Sequence, residues 1–160
     1  MPHITIEYTI LLPVLILQIF LFPLSAGWLM NIWVDSRRTL ALQEAASHIG
    51  SSIQQVYYAL NHTSVTAQLV TQKLDVPPFI ENYQYTGNAT LKSILDPELK
   101  SNKVLEITLR LETVGTTAKA SVILGSNVMW KESTFVSSSA NACIVAEKFA
   151  NGTVCLFFGG

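Results

Sequence analysis

The chain has 160 residues, of which 49% are hydrophobic and only 13% charged, with a formal net charge of -1. That length holds one ordinary domain, or a small domain with an anchor, and the charged share is about half of the usual quarter. A near-neutral balance removes the bulk electrostatic case for a nucleic-acid binder.

The first element is apolar. Glu7 opens a run with no further formal charge until Asp35, Arg37 and Arg38. The uncharged stretch 8–34, about 27 residues, makes a helix of about 40 Å, and a bilayer core needs about 20 residues. It is too long for the apolar region of a secretory signal. Tyr8, Trp28 and Trp33 stand near its ends, as interfacial aromatics do. Pro13 and Pro23 interrupt it. Each removes a backbone donor and strains the turn before it, so bending or melting of the helix is expected there.

The helical period continues past the charges. Leu42, Ala45, Ala46, Ile49, Ile53, Val56, Tyr57 and Leu60 keep spacings of mostly three and four, one apolar face of an amphipathic helix. Arg38, Gln43, Glu44, Ser47, Ser51 and Gln54 form the opposite face. One helix over about 4–60 is predicted, ended by Asn61 and His62. Its second half can lie on a globular domain. Its first half needs lipid or copies of itself. The chain therefore divides into a helical part, 1–62, and a second part, 63–160.

The second part reads as strands. Leu105, Ile107, Leu109 and Leu111 alternate with Glu106, Thr108, Arg110 and Glu112, a half-buried strand. Ala118, Ala120, Val122 and Leu124 mark another, with Gly115 as the turn between them. Weaker candidates are 65–76, which stops at Pro77-Pro78, and 83–91, 128–136, 143–149 and 154–158. The fold class expected is α+β: a long N-terminal hydrophobic α-helix followed by an all-β domain, sandwich or barrel-like. Asn151-Gly152 signals a two-residue hairpin that pairs residue 155 with residue 148 and not with Cys143, so a bridge between the cysteines would need a wider loop or a turn centred nearer Phe149.

Asn61, Asn88 and Asn151 each head an N-x-T triplet, which points to an exterior, N-glycosylated surface. Cys143 and Cys155 fit a short disulfide loop in an oxidising compartment, the other reading being two buried thiols. Arg37 and Arg38 are the basic residues near the span, both on its C-terminal side, which by charge alone would keep the second part cytoplasmic. The triplets and cysteines say the opposite. Removal of a basic leader from a precursor reconciles them, as does a chain that leaves the bilayer.

Enzyme chemistry is not evident. His3, His48 and His62 have no ligand spacing with one another or with the cysteines, so no metal site is expected. There is no glycine-rich phosphate loop and no nucleophile elbow. Trp130 and Phe135 read as core. No catalytic residue and no cofactor other than N-linked glycans is expected.

These features together resemble a known family. "IE" before an apolar run, a proline sixteen residues after the glutamate, a helix that turns amphipathic and then a β domain look like a type IV pilin, most closely the archaeal pilins and archaellins. The segment "LDVPPFIENYQYTGNATLKSIL", 74–95, is similar to the strand-turn-strand after the helix in archaeal pilin-like proteins. "IEYTILLP" resembles the TadE-like minor pilins. The resemblance implies a structural subunit of an extracellular helical filament, an adhesion pilus or, if it drives swimming, an archaellin. It implies leader removal by a prepilin peptidase, partnership with the pilus assembly machinery, a membrane location before assembly, and then copies of the chain packed through the apolar helix. Glu7 would pair with a neighbouring subunit's α-amine, and a cut before His3 would place it fifth, the family's spacing. Pro13 and Pro23 would mark where the helix yields so that subunits fit. The reading beside it is a membrane-anchored ectodomain or minor pilin.

Overall fold

The computed structural model describes residues 3–66, 68–93 and 102–160, with side chains from residue 9 onward. Among them the chain forms one helix, α1 (His3–Asn61), and eight strands: β1 (Gln68–Lys73), β2 (Tyr85–Ser93), β3 (Lys103–Leu111), β4 (Thr117–Leu124), β5 (Val128–Trp130), β6 (Thr134–Val136), β7 (Cys143–Lys148) and β8 (Val154–Gly159). The strands make two sheets, ordered β1-β7-β8-β5 and β4-β3-β2-β6. The class is α+β, with a long apolar helix ahead of a two-sheet domain. By their contacts the residues divide into two compact units, Met1–Arg37 and Arg38–Gly160.

The first unit is the apolar half of α1. It stays helical through Pro13 and Pro23, so no turn melts there. Proline's fixed φ suits a helix; the ring costs one hydrogen bond and a steric push without forcing the chain out. Near Pro23, the Ser25 hydroxyl donates back to the Phe22 carbonyl at 3.0 Å, the back-bond a serine inside a helix commonly makes.

The second unit contains the rest of α1. All eight apolar-face positions, Leu42 through Leu60, are buried, in one core with residues of both sheets. Leu105, Ile107, Leu109 and Leu111 of β3 are completely buried, as strict alternation demands. Ile144 and Ala146 of β7 and Val154, Leu156 and Phe158 of β8 close the core from the other sheet. Gly50 lets the helix approach closely: a Cβ there would stand 2.6 Å from Val122 Cγ2. Polar contacts fix the helix. The Gln43 amide donates to the Lys119 carbonyl of edge strand β4 at 2.8 Å, which blunts a free edge. Buried Lys148 donates through Nζ to the His62 carbonyl at 3.0 Å, a cation at the helix C-terminus.

Several boundaries differ from those expected. The 65–76 segment contributes only β1. The 128–136 segment splits: β5 runs parallel to β8, and β6 pairs antiparallel with β2 in the other sheet. The chain changes sheet at 131–133, where Ser133 Oγ accepts from Phe158 N at 2.8 Å and donates to the Lys131 carbonyl at 2.9 Å. The β7–β8 hairpin pairs Lys148 with Val154, one residue off the expected register. Its loop has three residues: Gly152 N donates to Phe149 O, Phe149 N donates to Thr153 O, and Gly152 takes φ 82°. That is a turn closed by a left-handed glycine rather than a two-residue turn. In 74–95, Ile80 bridges Tyr83 around Glu81 (φ 47°) and Asn82 (φ 68°), two left-handed residues as in a type I′ turn. The segment is thus a tight turn leading into β2, with residues 94–95 outside those described.

Candidate membrane and assembly segment

Every side chain over 9–33 is exposed. Ile19, Phe20, Phe22, Leu24 and Trp28 leave 67–73% of their surface open. The helix is long and apolar enough to cross a membrane. Covering about 20 such side chains at roughly 1.5–3 kcal/mol each amounts to about 30–60 kcal/mol of apolar transfer. No single ion pair competes with that.

The end of the span is marked by two arginines in different roles. The Arg37 guanidinium lies over the Trp33 ring, 5.0 Å from its centroid, one turn along the helix. Arg38 belongs to the β domain. Its Nε donates to Glu81 Oε2 at 2.8 Å, and its guanidinium sits 5.3 Å from the Tyr83 centroid. The Ile80–Tyr83 turn is thereby fastened to the start of the packed half of α1. Left-handed backbone at a non-glycine residue costs roughly 1–2 kcal/mol, and at Glu81 the partly exposed Arg38 ion pair returns about 0.2–1 kcal/mol of that. Sequence periodicity gave no sign of this contact, because its partners are 43 residues apart.

The other expected site residues scatter. Glu7 lies on helical backbone, and its side chain is outside those described. Pro13 and Pro23 are exposed on the apolar span. Asn88 is exposed at mid-strand in β2. Asn151 is exposed at the β7–β8 hairpin tip, where its Oδ1 accepts from Thr153 N at 3.0 Å. Asn61 is exposed at the helix end, and its Oδ1 accepts from Asn127 Nδ2 at 2.9 Å. That Nδ2 also donates to the Gly152 carbonyl, so Asn127 ties the helix end to the hairpin.

Cys143 and Cys155 are free thiols, contrary to the expected bridge. Cys155 pairs with Glu147 and Cys143 with Gly159. The two cysteines are therefore four residues apart along the ladder, about 13 Å, against the roughly 4.4–6.8 Å between Cα atoms that a disulfide needs. Burial pushes the Cys155 thiol pKa up, and the nearby Glu147 carboxylate adds to the shift.

Two polar constellations were not foreseen. On the outer face of the β4-containing sheet, Glu106 accepts from Lys119 at 2.7 Å and Lys92 at 2.6 Å. These hydrogen bonds hold its carboxyl down at about 2. Inside, Tyr85 is fully buried; its hydroxyl donates to the Pro77 carbonyl at 2.8 Å, and its N–H donates to Ser137 Oγ at 3.0 Å. Ser137 Oγ in turn donates to the Pro78 carbonyl at 2.7 Å. This latch holds the Pro77-Pro78 linker against β2 and β6, and desolvation pushes the Tyr85 pKa to about 12. Among the described residues no three His, Cys, Asp or Glu side chains gather as a metal site would require.

No family model matches the chain, and neither a curated protein nor a solved structure matches it.

Proposed function

We propose that the chain is a structural subunit of an extracellular, type IV pilus-like filament that polymerises through the apolar half of α1. One observation carries the reading: a single helix is buried by the β domain along its second half and exposed, uncharged and apolar over 9–33. A helix apolar all round demands a continuous cover. Copies of the same segment supply it in a contact that repeats without closing, which yields a helical polymer rather than a ring. Before assembly the segment resides in the membrane. Glu7 then needs a charge partner, since an unpaired carboxylate in a dry core costs several kcal/mol; the α-amine of an adjoining copy is that partner. The β domain forms the outer shell, and glycans at Asn88 and Asn151 project from exposed positions.

The second reading is a membrane-anchored ectodomain. The Trp33–Arg37 pair favours it, because an aromatic with a cation at the end of a span suits a membrane–water boundary. Shearing of the producing cells separates the two. A filament subunit appears in the sheared supernatant as sedimentable polymer. A chain that stays with the membrane pellet after shearing, with none released, contradicts the proposal.

A further inference from the structure

One side chain inside the uncharged span is out of keeping with the rest. Tyr8 and Trp28, aromatics near its two ends, are 20 residues apart, about 30 Å along a helix, which is the thickness of a hydrocarbon core. Between them the polar side chains are Thr9, Gln18 and Ser25. Thr9 stands at the edge, and Ser25 donates back to the Phe22 carbonyl. Gln18 lies ten residues from each aromatic, at mid-depth, about 15 Å from either surface. It is exposed, and among the described residues its amide has no hydrogen-bond partner. A glutamine does not reach water from that depth, and an amide left unpaired in lipid is costly.

We propose that Gln18 pairs with Gln18 of a second copy, so that the chain is a parallel dimer through this span while it resides in the membrane. Three observations select that occupant. The first is depth. Identical chains insert in the same direction, and the same flanking residues set their height. A neighbouring copy therefore offers its own Gln18 at the level where the amide needs a partner. The second is chemistry. A primary amide carries both donor and acceptor, so each Nε2–H donates to the other's Oε1, two bonds across a two-fold axis parallel to the helices. The third is the surface around it. Leu11, Val14, Gln18, Leu21, Ser25 and Trp28 are spaced alternately by three and four, the seam of a left-handed helix pair, on which a single polar residue fixes register. Ser25, one heptad after Gln18, is small enough to let the backbones approach. Neither Pro13 nor Pro23 falls on the seam. Val14, Gln18, Leu21 and Ser25 also line one shallow groove of the helix surface, together with Leu17 and Phe22. In a helical polymer successive copies are displaced along the axis, so the level pair belongs to the membrane stage. The inference rests on that stage, which both readings share, and not on the polymer.

Cross-linking in lipid tests it. Full-length chain carrying Cys143→Ser and Cys155→Ser is reconstituted in phosphatidylcholine vesicles and floated to show insertion. A cysteine is then introduced on or off the seam and oxidised at a series of protein-to-lipid ratios. Leu21→Cys should cross-link to itself about tenfold faster than Phe20→Cys, which is off the seam. Adding Gln18→Leu should raise the protein density needed for half cross-linking about tenfold, and Gln18→Asn should keep most of the wild-type behaviour. Leucine favours insertion, so loss of the dimer in Gln18→Leu would not be loss of the span. Equal cross-linking at positions 20 and 21, or a dimer indifferent to Gln18→Leu, overturns the proposal. So does a monomer at every density, which would leave the amide to a different membrane protein. A chain that fails to float with the vesicles would count against the membrane stage and take the pair with it. Filaments from a chain that is monomeric in vesicles would overturn the pair and leave the polymer standing. A Gln18-dependent dimer from cells that make no filaments would uphold the pair and count against the polymer.

Discussion

Gly50→Ala pits two effects of similar size against each other. In an exposed helix interior the change stabilises by about 1 kcal/mol. Here the new Cβ would stand 2.6 Å from Val122 Cγ2 and 3.5 Å from Ile107 Cδ1. An ordinary carbon–carbon contact is about 3.5–4.0 Å, so about 1 Å must be found. Val122 is β-branched and buried in β4, with little rotamer freedom to give it. Overpacking of this kind costs about 1–3 kcal/mol. The clash should win, with a net loss of about 1 kcal/mol and a fall of about 3–6 °C in Tm for a unit of this size. Val122→Ala makes room, so Gly50→Ala in that background should be neutral or stabilising. The assay is thermal unfolding by near-UV circular dichroism of the full chain in detergent. A rise in Tm of several degrees for Gly50→Ala alone would refute the close packing of α1 on β4. With it would go the claim that only the first half of the helix seeks a cover.

Other outcomes follow from single contacts. The Glu106 carboxyl, held at about 2 by Lys119 and Lys92, has a folded pKa below its ordinary one of about 4.3. Its contribution is complete above about pH 5 and is lost as pH falls toward 2. Glu106→Gln should flatten the Tm profile across that window and leave the profile above pH 6 parallel to wild type; an unchanged acid limb would contradict the triad. Tyr85→Phe leaves the Pro77 carbonyl without its donor at a cost of about 1–2 kcal/mol. It should also delete the tyrosinate absorbance step near 12 assigned to Tyr85, and a wild-type titration complete by pH 10.5 would count against the burial. Intact mass of the unreduced protein should not change on reduction, and a gain of about two hydrogens would mean a bridge at odds with the β7–β8 register.

What could be read from the sequence was what repeats. The eight buried positions from Leu42 to Leu60 and the alternation of 105–111 and 118–124 follow from periods of 3.6 and 2, and each lands where the period puts it. The uncharged span was legible for the same reason. Features set by one residue or by distant partners were not. Asn151-Gly152 marks a turn, but the choice between a two- and a three-residue loop shifted the register by one. The break between β5 and β6 depends on Ser133 bonding to Phe158, 25 residues on. The Tyr85–Ser137 latch joins residues 52 apart and leaves no local pattern. The supposed disulfide already conflicted with the Asn151-Gly152 hairpin, and the register settles against it: in an antiparallel pair only residues that face each other can meet, and Cys155 faces Glu147. Glycosylation and the assembly roles of Glu7, Pro13 and Pro23 rest on motif and resemblance.

The central claim is that residues 9–33 are covered by copies of themselves. Cryo-electron microscopy of material sheared from producing cells, with mass spectrometry to identify this chain, tests it most directly. The account predicts uniform filaments with a core of packed helices, the 9–33 segment on the inside and the β domain outside. Single copies seated in membrane fragments, with that segment surrounded by lipid, would contradict it.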